Sequence, residues 1–239
     1  MLIATASLAG RRWGHVISGW LVGIPFTSGP ITLFLFLDHG AAFAANAALG
    51  SLLGVLATAA FAVEFSAVAK RGGRIVSSFL AGILAFALVG AAAQSAAIAP
   101  LPLFTIVAVV LIVAIRFVPD PGPTASVPLP RWDLPARMVI AAILVVAITS
   151  AAPALGPRLS GILATIPVYA SILAGFGFQL VGPPAAIRVW RGLLFGLFGF
   201  GSFYLMIATL IEPLGLWAFA AALAAGIVMQ TVTLRVLRR

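Results

Sequence analysis

The sequence predicts an all-α, polytopic membrane protein made of two repeats that cross the bilayer in opposite directions. Three observations carry this expectation. The first is composition. Of 239 residues, 63% are hydrophobic and 8% charged, and the mean hydropathy is +1.21. Soluble domains carry about 25% charged residues, and a soluble fold could not cover itself with so little polar surface. The second is the length of the apolar runs, which are long enough to cross a hydrocarbon core and lack polar–apolar alternation. They therefore read as helices rather than barrel strands. The third is an internal repeat. Residues 14–61 return without a gap at 156–203, since 156 − 14 and 203 − 61 are both 142. The identical pairs include Gly14/Gly156, Gly19/Gly161, Pro25/Pro167, Gly40/Gly182, Gly50/Gly192 and Gly54/Gly196. Shared Gly and Pro mean that backbone geometry is repeated along with hydrophobicity.

In order along the chain, the expected elements are an apolar stub, residues 1–9, and then eight spans. The first repeat, 1–118, holds spans at about 15–37, 41–68, 75–97 and 101–118. A Pro-rich linker follows over 119–135, with Pro119, Pro121, Pro123, Pro128, Pro130 and Pro135. Such a run cannot continue a helix. The second repeat, 136–239, holds spans at about 136–152, 159–181, 186–211 and 214–235. By the repeat offset, Met1 falls on Ile143, in the middle of the fifth span. The stub thus matches half a helix. It is either a half-helix packed on the bundle, or the chain as given starts inside a longer helix. Residues 1–9 lack the basic start and cleavage site of a removable leader.

Basic residues give the orientation. Arg11 and Arg12 precede the first span, and Lys70, Arg71 and Arg74 follow the second. Arg116, Arg131 and Arg137 flank the linker, Arg188 and Arg191 open the seventh span, and Arg235, Arg238 and Arg239 close the chain. Every second connection is basic, and Arg158 alone departs from the pattern. Basic connections stay in the cytoplasm, so both termini are expected there, in a bacterial cytoplasmic membrane. The first and sixth spans are five helices apart and run oppositely, which makes the halves an inverted pair. The net charge of +9 is accounted for by these scattered connections and does not form a nucleic-acid surface.

Chemistry is expected where the spans are interrupted. The first contains Ile24-Pro25-Phe26-Thr27-Ser28-Gly29-Pro30, and the sixth contains Ile166-Pro167-Val168-Tyr169-Ala170-Ser171. Proline removes a helical hydrogen bond, and unpaired backbone at membrane depth is tolerated only where protein or a water-filled cavity satisfies it. Free amides at a half-helix N-terminus attract anions, and free carbonyls attract cations. Pro25, Thr27, Ser28, Gly29, Pro167, Tyr169 and Ser171 are therefore the expected substrate-binding residues. The bland reading is a pair of kinked helices with hydroxyls bonded to their own backbone. Recurrence of the break in both repeats favours the functional one.

The remaining polar residues say less. Glu64 is the one acid inside a span, and intramembrane acids are candidate proton or cation sites. It is also close enough to Lys70 and Arg71 to snorkel to the surface. Arg188 and Arg191 belong either to the headgroup zone or to the entry of an anionic substrate. Gln94, Gln179 and Gln230 are explained by interhelical hydrogen bonds, and the Gly50/Gly54 and Gly192/Gly196 pairs by close helix packing. Trp13, Trp20, Trp132 and Trp190 read as interfacial anchors. There is no cysteine, His15 and His39 have no companion ligand, and no nucleotide-binding motif occurs. No metal, cofactor, nucleic acid or enzymatic triad is expected.

The stretch Ser160-Gly161-Ile162-Leu163-Ala164-Thr165-Ile166-Pro167, followed by Arg188 to Arg191, resembles the small GlpM-type bacterial inner-membrane proteins. That resemblance covers under half the chain and implies a fused pair of half-size units. The wider plan is similar to inverted-repeat transporters of the sodium–proton antiporter and bile-acid symporter class, although the five-plus-five helix plan is not met. The expected function is secondary transport of a small molecule or ion across the lipid bilayer by alternating access. The alternative is a non-transporting subunit that scaffolds an envelope or polysaccharide enzyme. An oligomer is compatible with either.

Overall fold

The computed structural model describes residues 2–25, 28–118, 132, 135–136, 138–140, 143, 162 and 165–237. Most of the linker, most of the expected fifth span, residues 159–161 and 163–164 of the expected sixth span and Arg158 lie outside the described residues. So do Phe26 and Thr27. All regular structure among the described residues is α-helical. The helices are α1 (Leu2–Trp13), α2 (His15–Val22), α3 (Ser28–His39), α4 (Ala41–Lys70), α5 (Ile75–Ala93), α6 (Pro100–Phe117), α7 (Val168–Leu180), α8 (Pro183–Leu214) and α9 (Trp217–Leu237).

Five of these, α4, α5, α6, α8 and α9, are long and apolar enough to cross a membrane. Their burial differs in a way that defines the architecture. The apolar windows of α4 and α8 are each 67% buried, against 22–28% for α5, α6 and α9. The two long helices are therefore the core, and the shorter ones cover them with faces left for lipid. α4 packs on α8, α5, α6 and α3, and α8 packs on α9, α2, α7 and α6. The centre between them is aromatic. Trp190 of α8, fully buried, lies 4.7 Å from the Phe61 ring and 5.3 Å from the Phe65 ring of α4.

Both long helices start on a glycine that L-residues would strain to replace. Gly40 caps α4 at φ 84° and Gly182 caps α8 at φ 114°. These are repeat partners, so a shared glycine here corresponds to a shared positive φ.

The stretch 15–37 is two helices rather than one. Helical bonding stops at Val22 and resumes at Ser28. Between them the Gly23 and Ile24 amides turn back to the carbonyls of Trp20 and Leu21, at 3.1 and 3.2 Å, which tightens the end of α2. The stub expected over residues 1–9 belongs to the short helix α1, Leu2–Trp13, which packs on α2.

Candidate functional site

Glycines bring the interrupted segments against the long helices. On α2, a Cβ added to Gly19 would collide with the Val189 carbonyl, and one on Gly23 would lie 2.5 Å from Gly196 Cα. From the other side, a Cβ on Gly192 would collide with the Val16 carbonyl. Two small-xxx-small pairs thus face each other, and the α2 and α8 backbones touch. On α4, a Cβ on Gly54 would collide with the side chain of Thr165, just before the second interruption.

The second interruption is a tight reversal. Pro167 has φ −80° and ψ 57°, and the Val168 amide donates to the Ile166 carbonyl at 2.7 Å. This is an inverse γ-turn. Helical bonding in α7 begins with the Ser171 amide on the Pro167 carbonyl at 2.7 Å. The amides of Tyr169 and Ala170 therefore belong to an open first turn. The Thr165 carbonyl, which lies ahead of this turn, is satisfied from the other half of the chain. Thr58 of α4 shares its hydroxyl proton between that carbonyl, at 2.9 Å, and the Gly54 carbonyl, at 3.0 Å. The Thr165 hydroxyl turns back to the Ile162 carbonyl at 2.6 Å.

The two interruptions meet at one cavity of about 60 Å³. Ser28, at the start of α3, lines it, and so do Pro167 and Tyr169 at the start of α7. Thr58 and Thr165 add hydroxyls, while Leu193, Leu197 and Phe200 of α8 form an apolar wall. Among the described residues, no charged side chain lines the cavity. The space suits a few water molecules or one small ion. Two helix first turns and four hydroxyl-bearing side chains border it, and the hydroxyls of Thr58 and Thr165 are already donated to backbone carbonyls, which leaves their oxygens as acceptors.

A second polar cluster backs Ser28. Ser28, Thr32 and Ser51 converge on the phenol of Tyr204 on α8. The Thr32 hydroxyl lies 3.1 Å from the Tyr204 hydroxyl and also donates to the Ser28 carbonyl at 2.8 Å. Tyr204 is fully buried. At the offset of 142, the counterparts of Ser28, Thr32, Tyr204 and Ser51 are Ala170, Ala174, Ala62 and Leu193. The cluster therefore exists on one side only.

The expected site residues divide among several places. Ser28, Pro167 and Tyr169 share the cavity. Ser171 instead faces an apolar groove with Phe61, Phe79 and Ile172. Pro25 lines another, with Phe203, Leu223 and Gln230. Gly29 lies under the Phe203 ring, and Thr27 lies outside the described residues. Glu64 is exposed on α4 and is not among the cavity-lining residues.

Sequence reasoning missed Thr58, Thr165 and Tyr204. Thr58 aligns with Phe200 and Thr165 with Gly23, so the repeat gave no signal for either. Gln230 does bridge helices. Its amide donates to the Gly196 carbonyl at 3.1 Å, and Thr233 beside it accepts from the Trp20 indole at 3.1 Å. Arg191 holds the end of α6, donating to the carbonyls of Ile115 and Val118 at 3.2 and 2.6 Å.

No family model matches the chain, and no curated protein or solved structure is significantly similar to it.

Proposed function

We propose that this chain is a secondary transporter of a small solute in the bacterial cytoplasmic membrane. It would have eight spans in two inverted repeats, with both termini in the cytoplasm. The observation that carries this reading is a cavity lined from both interrupted segments. Ser28 and Tyr169 would contact the solute, with Thr58 and Thr165 completing the polar lining. The two helix first turns favour a solute with an anionic or hydrogen-bond-accepting group. Glu64 remains a candidate for ion or proton coupling only through a rearrangement that brings it to the cavity.

A two-fold relation between the repeats is supported by exchanged contacts. Gly23 meets Gly196, and Thr165 meets Gly54. Since 23 + 142 = 165 and 54 + 142 = 196, each contact is the other with the repeats swapped, as a two-fold axis between them would produce. Trp20 likewise reaches Thr233 on α9, and its counterpart Ile162 packs at Gly90 on α5, one position from the counterpart of Thr233. Rocking of two such halves around a fixed midplane site is the alternating-access motion.

The chain has no cysteine, which gives a clean test. Ser28→Cys and Tyr169→Cys would each be probed in sealed vesicles of both orientations with a membrane-impermeant thiol reagent. Alternating access expects labelling from both sides, with protection by substrate. A folded protein whose cysteines are labelled from neither side, or from one side only, would overturn the proposal and leave the scaffold reading.

A further inference from the structure

We propose that the groove between α2, α8 and α9 binds an anionic phospholipid, with its phosphate at Arg191 and an acyl chain along the apolar wall. The groove has a volume of about 680 Å³. Its walls include Ile17, Leu21, Leu234 and Leu237, and Trp13 and Arg191 also line it. Among the described residues Arg191 is the one charged side chain lining it, and none of the described acidic residues, Asp38, Glu64 and Glu212, does.

The guanidinium is pre-positioned for a phosphate. Its bonds to the Ile115 and Val118 carbonyls use Nη1 alone. Arginine carries five N–H donors in a planar fork, so Nε and Nη2 remain for an oxyanion, the bidentate geometry arginine favours. The Phe195 ring, 5.8 Å from the guanidinium carbon, fixes its plane further. A second cation stands beside the groove, since the Arg12 guanidinium lies 5.3 Å from the ring of Trp13. Among the described residues no carboxylate offsets these two guanidiniums, an arrangement that repels a choline headgroup and attracts one with net negative charge. The apolar walls exclude a free anion as the best occupant, because an acyl chain is needed to cover them. Basic pockets between spanning helices are a known form of lipid headgroup site.

The test uses the full chain, purified and delipidated in a neutral detergent. Apparent affinity is read from thermal melting against added phosphatidylglycerol, phosphatidylcholine of the same acyl chains, and glycerol phosphate alone. Phosphatidylglycerol is expected to raise the melting temperature, and the other two are not. Arg12→Gln is expected to weaken the phosphatidylglycerol response about fivefold, the contribution of one basic residue near an anionic headgroup. Arg191→Gln also uncaps α6, so Ile17→Trp serves as the second variant. It fills the acyl channel without touching α6 and is expected to abolish the response. Equal responses to the two lipids, a full response to glycerol phosphate, or a folded Ile17→Trp protein with unchanged affinity would each overturn the proposal.

Discussion

Gly196→Ala is expected to destabilise the protein, whereas the chemically identical change Gly175→Ala is not. A Cβ on Gly196 would lie 2.5 Å from the Trp20 carbonyl oxygen and 2.9 Å from Gly23 Cα. Both neighbours are backbone, so no side chain can rotate away, and α2 must move off α8 by about 1 Å to reach ordinary van der Waals separation. Overpacking of this kind costs about 1–3 kcal/mol. A Cβ on Gly175 meets only the Phe79 ring at 3.6 Å, which is ordinary contact. There the usual helical gain of Ala over Gly, about 0.5–1 kcal/mol, is left unopposed. The two substitutions should therefore shift stability in opposite directions. With the same helical gain subtracted, Gly196→Ala should cost a net of about 0–2.5 kcal/mol; at about 2–4 °C per kcal/mol for a chain of this size it should lower the melting temperature by up to roughly 10 °C, and Gly175→Ala should leave it level or raise it. Thermal unfolding of both variants in one detergent is sufficient. A Gly196→Ala protein as stable as the Gly175→Ala one would show that α2 and α8 do not touch through backbone, and the packing argument at the site would fail.

Two further outcomes follow from the same geometry. Thr58→Val removes the hydroxyl shared by the Thr165 and Gly54 carbonyls and keeps the shape. It should cost about 1 kcal/mol, the scale of hydrogen bonds inside membrane bundles, while Thr58→Ser should cost less. Melting curves for the pair separate hydroxyl from volume, and equal losses would point to packing alone. Pro25→Ala with Pro167→Ala restores the backbone donors that the interruptions lack. Under the proposed function, that double variant should insert and fold normally but lose solute flux in proteoliposomes, and unchanged flux would remove the interruptions from the mechanism.

The membrane class and the long helices were legible because burial in lipid writes itself into composition. α4 was expected at 41–68 and is Ala41–Lys70, and α8 was expected at 186–211 and is Pro183–Leu214. Both start on a repeated glycine with positive φ, a backbone requirement that sequence can display. The cavity was legible only at Pro167, Ser28 and Tyr169, where a break in the helical pattern marked the place. Thr58 was hidden because one hydroxyl on a long apolar helix is compatible with bonding its own carbonyl, which Thr58 also does. Its reach to Thr165 depends on the crossing of two helices, which no local pattern encodes. Ser171 lies two residues beyond Tyr169 on a helix, about 200° around the axis, and so it opens onto a different groove.

The contacts at the crossing also order the making of the molecule. Thr58 reaches a carbonyl 107 residues further on, and Trp20 an acceptor 213 residues further on. Gly23 waits for Gly196, which is 196 − 23 = 173 residues later. At ribosomal speeds of about 5–20 residues per second, the glycine face of α2 stands without its partner for roughly 9–35 s. During that interval α4 can already pack on α3, α5 and α6, but the glycine face of α2 has no backbone to lie against. Completion of the cavity lining thus comes after its first half is made, and α9, which follows α8, supplies the acceptor for the Trp20 indole.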